Sequence, residues 1–290
     1  MCYATTVRHV GFVLKRDKPE AEAIARELVS WLSGQGLKSV VMPEQARLAG
    51  GLDVATESEL GAVSDLVVCL GGDGTLLHAA ALAGDHGVPV LGVNLGTMGF
   101  NVPFAPAEAR SALERAIAGE LPIEERMRLG VDIHRDGQVT RRVALNDAVL
   151  AQGSMARLVE LIATLDGQQI ARYKADGLIV ATPTGSTAYN LAAGGPILTP
   201  GQASFAITPI CPHTLTHRPL VVPSSSLIGI SLGGGATGVV VTLDGQWGYT
   251  MAAVDRVEIF QAARPLLLYK SGKGYFEILR EKLSWGSRLN

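Results

Sequence analysis

Four segments of the chain combine residue types that can do chemistry. The first is Gly71-Gly72-Asp73-Gly74-Thr75, which follows an apolar run and opens a helix-like stretch. Glycines let backbone N–H groups approach a phosphate closely, and a helix N-terminus adds the positive end of its dipole. Asp73 is the ionisable group of that loop. Bound phosphates repel a carboxylate, so its presence calls for a reason. One reason is accepting the proton of an attacking hydroxyl in phosphoryl transfer to an alcohol; the other is capping the helix.

The second segment is Asn146-Asp147, an acid–amide pair inside the apolar run Val143 to Leu150. Such a pair disfavours a strand. It can both donate and accept hydrogen bonds, which suits a purine edge or ribose hydroxyls, and equally suits a bulge or turn. The third runs from Asp176 to Tyr189, DGLIVATPTGSTAY. A short apolar strand leads into hydroxyl residues and a tyrosine able to stack on a planar ring. The same residues also suit a strand, a turn and a capped short helix. The fourth is Pro209 to Pro219, with His213 and His217 four residues apart. Pro212 and Pro219 argue against a clean helix there, so a rigid connection at a pocket edge is expected in place of a metal site.

Familiar phosphate and nucleophile motifs fail. Leu267 stands where the first glycine of GxxxxGK would precede Lys273, and Leu77 breaks GxGxxG after Gly72 and Gly74. Thr184 removes GxSxG around Ser186, and HExxH does not occur. P-loop enzymes, simple dinucleotide-fold dehydrogenases, serine hydrolases of the α/β class and zincins are thereby disfavoured.

The elements that must position these residues change character along the chain. Val7 to Leu14, Lys38 to Met42, Asp65 to Leu70 and Pro89 to Val93 read as strands. Helices are expected from Pro19 to about Gly34, Thr75 to Ala83 and Ala107 to Ala118. This alternation implies a parallel sheet covered by helices. From about residue 122 strand follows strand, and Asp136-Gly137, Asp166-Gly167 and Asp244-Gly245 mark hairpins. The expected class is an α/β N-terminal domain with a parallel sheet plus a mostly β C-terminal domain. The expected divisions are 1–121, 122–270, and a segment 271–290 that returns to the first domain through a helix from Tyr275 to Leu283.

Composition bounds the rest. The 290 residues are 47% hydrophobic with a formal net charge of -2, which supplies a sizeable core and no polyanion-binding surface. A nucleic-acid partner is not expected. Cys2, Cys69 and Cys211 form no CxxC pair and read as reduced thiols of a cytoplasmic protein, Cys69 in the core. The N-terminal residues show no signal peptide. Gly177 to Leu243 carries one charged residue, Arg218, but Gly, Pro, Ser and Thr interrupt it too often for a membrane span.

Taken together, GGDGT at 71–75, the pair at 146–147, DGLIVATPTGSTAYNLAAGGPI at 176–197, PHTLTHRPLV at 212–221, DGQ at 244–246 and the ending KLSWGSRLN resemble the NAD kinase family over the whole chain. GGDGT alone is shared with diacylglycerol, sphingosine and phosphofructokinase families; TPTGSTAY is the more specific part. The resemblance implies ATP-dependent phosphorylation of the 2′-hydroxyl of the adenosine ribose of NAD, in a pocket between the domains. It makes Asp73 the base and, with Gly74, a ribose contact. Gly71, Gly72, Gly74 and Thr75 would form the phosphate loop. Asn146, Asp147, Lys174, Asp176, Thr187, Ala188, Tyr189, Asn190, Leu191 and Ala192 would contact NAD, with Arg157 and Gln246 aligned to further contacts. Relatives often carry Glu at position 147 and Ser at 192. Lys174 implies preference for NAD over NADH. Thr97-Met98 departs from the family's more usual Arg-Leu, which bears on donor contacts and assembly. Mg²⁺ is expected to arrive with ATP, and the assembly to be a homodimer or homotetramer. A lipid or sphingoid kinase and a non-catalytic NAD(P)(H)-binding regulator are the competing classes. The first predicts activity on diacylglycerol, and the second dinucleotide binding without turnover.

Overall fold

The computed structural model describes residues 7–48, 52–96, 99–153, 158–214 and 216–284. The chain divides into two compact units, Met1–Glu125 with Arg264–Asn290, and Arg126–Ala263.

In the first unit the apolar runs become strands β1 (His9–Leu14), β2 (Lys38–Val41), β3 (Asp53–Val54), β4 (Leu66–Gly71), β5 (Val90–Asn94) and β6 (Ile123–Arg126), joined by the late strand β19 (Leu266–Tyr269). They form one sheet in the order β3-β2-β1-β4-β5-β19-β6. The pairings β1–β2, β1–β4, β4–β5, β2–β3 and β5–β19 are parallel. Helices α1 (Pro19–Gly34), α2 (Glu57–Val63), α3 (Asp73–Ala83) and α4 (Ala109–Ile117) connect or cover the strands, and α6 (Tyr275–Leu283) follows β19. Pro19 at the first turn starts α1, where its missing N–H is no loss. Leu28 and Leu32 of α1 and Leu113 of α4 join Val10 and Phe12 of β1 and Leu66, Val68 and Leu70 of β4 in one core. Each such fully buried aliphatic side chain contributes about 1.5–3 kcal/mol. Cys69 is fully buried in β4, and burial pushes its thiol pKa up. Helix α2 has no counterpart in the hydrophobic pattern. A capping box starts it, with the Thr56 N–H donating to Glu59 Oε2 at 3.0 Å.

The second unit is two six-stranded antiparallel sheets sharing one core. The first has the order β11 (Gln168–Ala175), β10 (Val159–Leu165), β15 (Ile228–Gly233), β18 (Arg256–Gln261), β7 (Leu129–Arg135), β8 (Gln138–Ala144). The second has the order β14 (Leu220–Pro223), β13 (Ser204–Ile210), β12 (Gly177–Ala181), β9 (Asp147–Gln152), β16 (Val239–Leu243), β17 (Trp247–Thr250). Leu161 and Ile230 of one sheet meet Leu150, Leu178 and Phe205 of the other. On the outer face of the second sheet Val149, Ile179 and Ala181 form a smaller cluster with Ala193. Strand β12 is therefore buried on both faces, which explains its unbroken apolar run. All three Asp-Gly pairs turn hairpins with both residues at positive φ: Asp136 at 50° and Gly137 at 78°, Asp166 at 49° and Gly167 at 83°, Asp244 at 52° and Gly245 at 66°. The only helical structure among this unit's described residues is a 3₁₀ turn at Gly185–Thr187 and the single turn α5 (Tyr189–Ala192). No helix among the described residues of the chain is long and apolar enough to cross a membrane.

Candidate active site

In the first unit the GGDGT segment bridges β4 and α3. Gly71 ends the strand, Gly72 precedes the helix, and Asp73 is the first helical residue. Gly71 is required by packing, because Thr75 folds back over it and a Cβ there would meet the threonine side chain. Gly72 and Gly74 differ. A Cβ at either would meet nothing within 4 Å, and Gly72 has an ordinary extended backbone. Neither packing nor φ demands glycine there, which leaves bare backbone at the opening of a helix, where anions are favoured.

Asp73 does not cap its own helix. Its Oδ2 accepts the Phe100 N–H at 3.0 Å and its Oδ1 accepts the Asn101 N–H at 3.0 Å. The Gly99 backbone lies so close that a Cβ there would stand 2.5 Å from Oδ1. Two donors thus fix the carboxylate's plane, and a carboxylate holding one donor per oxygen keeps lone pairs for a further hydroxyl. Thr97 and Met98 lie outside the described residues.

At the carboxyl ends of β1 and β2 is a cavity of about 620 Å³. Lys15 and Arg16 after β1, Met42 and Pro43 after β2, Thr56, and His78 of α3 line it. The strand order reverses between β1 and β4, and open α/β sheets hold ligands at such reversals. The volume suits a nucleotide-sized molecule. Arg47 pairs with Glu22 at 2.6 Å and His78 with Glu57 at 3.5 Å among the lining residues.

In the second unit the Asn146-Asp147 pair sits where the chain bends from β8 into β9. The TPTGSTAY segment holds that bend directly. Thr182 donates its N–H to the Asn146 carbonyl at 2.8 Å and its hydroxyl to the Leu145 carbonyl at 2.6 Å. Its hydroxyl oxygen accepts the Gly185 N–H at 3.1 Å. A Cβ at Gly185 would be built into the Asn146 carbonyl, so only glycine lets these backbones touch. Asp147 is 5% exposed, and its carboxyl is pushed up to about 7 by burial and then by the neighbouring Asp244 charge. Asn146 is 9% exposed, and its Oδ1 is buried without a hydrogen-bond partner. An unmet acceptor of this kind costs about 1–3 kcal/mol, which folded chains tolerate mainly where it serves a purpose.

Of the other expected contacts, Tyr189 is 47% exposed and presents its ring at the surface of α5. Thr187, Ala188 and Leu191 are half-buried and Ala192 is exposed. Asn190 is fully buried. Its amide donates to the Ser186 and Pro196 carbonyls at 3.1 and 3.0 Å and accepts the Thr208 hydroxyl at 2.7 Å. Its side chain is thereby committed to holding α5 on β13. Gln246 is exposed in the same turn as Asp244. Asp176, also exposed, precedes β12 at its opposite end, and Lys174, also exposed, belongs to β11 of the other sheet. Because Gly177 pairs with Ala151 and Ala181 with Asp147, Asp176 stands about 17 Å along the strand from Asp147. Arg157 lies outside the described residues. The His213 N–H donates to the Lys174 carbonyl at 2.9 Å and the His217 ring packs on Tyr173, which ties the Pro209–Pro219 connection to β11. Asp244 was legible in the sequence only as a turn residue; its contacts cross from the β16–β17 turn to the β8–β9 bend and leave no local signal.

The two units match the families described as ATP-NAD kinase N-terminal domain, over residues 10–121, and ATP-NAD kinase C-terminal domain, over residues 145–271. The NAD kinase of Geotalea daltonii is 45% identical over 284 residues, covering 97% of this chain and 100% of its own. That of Syntrophobacter fumaroxidans is 45% identical over 282 residues, covering 97% and 99%. Yeast NADH kinase, solved in complex with NADH, superposes with a TM-score of 0.92 at 29% identity, over 99% of this chain and 91% of that one. An NAD kinase from Archaeoglobus fulgidus, solved in complex with ATP, shares the fold, with a TM-score of 0.77 at 24% identity over 95% and 98% of the two chains.

Proposed function

The chain belongs to the ATP-NAD kinase family, and on that premise we propose that it phosphorylates the 2′-hydroxyl of the adenosine ribose of NAD from ATP, with Asp73 as general base. The 2′-oxygen attacks the γ-phosphorus, the bond from that phosphorus to the β–γ bridging oxygen breaks, and ADP leaves. The hydroxyl proton passes to Asp73. The observation that carries this reading is the Asp73 carboxylate, held by two backbone donors at a glycine-bared helix opening. Little covalent chemistry is asked of the protein beyond alignment and proton acceptance.

The cavity at the ends of β1 and β2 takes the donor nucleotide, with Lys15 and Arg16 as cations toward its phosphates. Magnesium belongs to the MgATP substrate and neutralises phosphate charge. Asn146, with its unmet Oδ1, and Asp147 take the dinucleotide's hydroxyls or base edge, and Tyr189 stacks on a ring. Lys174 directs the preference to NAD over NADH, and the active assembly is a homodimer or homotetramer in the cytoplasm.

The test is to incubate the protein with NAD, ATP and Mg²⁺ and to detect NADP with an NADP-specific dehydrogenase. Parallel reactions contain NADH, or the Asp73→Asn protein. Asp73→Asn is expected to bind NAD and to lose on the order of 10²–10⁴ in kcat. Near-normal turnover by a folded Asp73→Asn protein overturns the base role. NAD binding with no NADP formed overturns the kinase reading. Sedimentation velocity reads the assembly directly.

A further inference from the structure

The β16–β17 turn carries a carboxylate whose use the reaction does not explain. Asp244 Oδ2 accepts the Leu145 N–H at 2.8 Å, and Oδ1 accepts the Asn146 and Asp147 N–H groups at 2.7 and 3.1 Å. Three successive amides at the β8–β9 bend thus converge on one side chain from a strand connection about 100 residues later in the chain. An Asp-Gly hairpin does not by itself require this, because Asp166, which also opens such a turn at positive φ, accepts a single N–H, from Leu227. The bend is held from the other side by Thr182 and by the Gly185 contact.

We propose that Asp244 is a positioning residue for dinucleotide binding, holding the β8–β9 bend so that the Asn146 and Asp147 side chains are set for the ligand. The inference rests on the reading of Asn146 and Asp147 as dinucleotide contacts. A carboxylate suits the task and its amide does not. Aspartate offers two acceptor oxygens and no donor, whereas asparagine must turn an NH₂ group toward at least one of the three N–H groups. Nor is Asp244 electrically silent. Asp147 faces Ala181 across β12, and its other strand neighbour β16 offers Leu243 beside Ala148. The charge acting on the Asp147 carboxyl is that of Asp244.

Asp244→Asn is a clean probe, since asparagine tolerates the positive φ of the turn and keeps the side-chain size. The experiment measures NAD affinity by calorimetry across pH 5–9, and kcat at saturating NAD, for the full chain and for Asp244→Asn, Asn146→Ala and Asp166→Asn. Asp244→Asn is expected to weaken NAD binding on the order of tenfold or more, the scale of one lost charge-assisted hydrogen bond, with a smaller fall in kcat. The pH midpoint of NAD binding moves to lower pH, because removing the Asp244 charge relieves Asp147; the loss of affinity with the smaller fall in kcat is what separates positioning from this charge effect. Asp166→Asn is expected to bind NAD as the parent does. Should Asp244→Asn fail to fold, Asp244→Ser, which keeps an acceptor oxygen, is read by the same criteria. Unchanged affinity in the folded Asp244 variant, with Asn146→Ala impaired, overturns the proposal alone. Unimpaired binding by Asn146→Ala overturns the proposal together with the reading beneath it.

Discussion

Asp147 shows how a buried carboxyl opposes the stability of the domain that holds it. Below about pH 4 its carboxyl is protonated in the folded and the unfolded chain, and its burial adds no electrostatic penalty. As pH rises toward the folded value of about 7, the unfolded chain releases the proton first and stability falls. Above that value the loss is complete, at about 4 kcal/mol for three pKa units. Asp147→Asn is therefore expected to stabilise the protein by on the order of 2–4 kcal/mol at pH 8 and by little at pH 4. Urea unfolding at the two pH values checks this, and an equal gain at both would remove the buried charge as its cause. If Asp147 contacts the dinucleotide as proposed, the same variant is expected to bind NAD less well, trading activity for stability.

The glycines of the candidate site fall into two kinds. Gly185 is there because the turn after β12 touches the Asn146 backbone. Gly185→Ala forces those backbones apart and is expected to cost about 2–4 kcal/mol, read as a lowered melting temperature. Gly74 sits in the first turn of α3 with open space where a Cβ would be. Gly74→Ala is expected to leave stability unchanged or raised by up to about 1 kcal/mol, since alanine is the better helix former. Its kcat/KM for ATP is expected to fall at least about tenfold if phosphate approaches that backbone, as bare loops allow. Normal ATP kinetics in Gly74→Ala would separate the glycine from the phosphate.

At the scale of the whole molecule, the chain leaves the first unit at Glu125 and returns at Arg264. The returning strand β19 does not sit at an edge. It lies between β5 and β6, and the Lys270 N–H donates to the Pro122 carbonyl at 3.0 Å. A fragment ending at residue 125 therefore exposes the inner side of β5 and leaves β6 without its partner, an open edge of the kind that aggregates. Such a fragment is expected to melt without cooperativity or to aggregate. Residues 126–263 retain both antiparallel sheets and their common core, and are expected to melt cooperatively. Circular dichroism on the two fragments checks both outcomes.

How much of this is legible in the sequence depends on how local the cause is. Apolar periodicity marked the early strands and helices, and Asp-Gly pairs marked three hairpins, because strand pleat, helix pitch and positive φ are properties of a few adjacent residues. Helix α2 escaped that pattern, although its Thr56–Glu59 capping box is written in the chain. Motif content alone named Asp73, Asn146-Asp147 and TPTGSTAY as chemical candidates. Only the tertiary structure decided what each one touches. It put Asp73 on the amides of Phe100 and Asn101, turned the Asn190 amide inward, set Asp176 about 17 Å along β12 from Asp147, and put Lys174 in the other sheet. It also gave Asp244 to three amides about 100 residues earlier. Such pairings depend on strand order and register, which are set by the burial of whole sheets and not by neighbours in the chain.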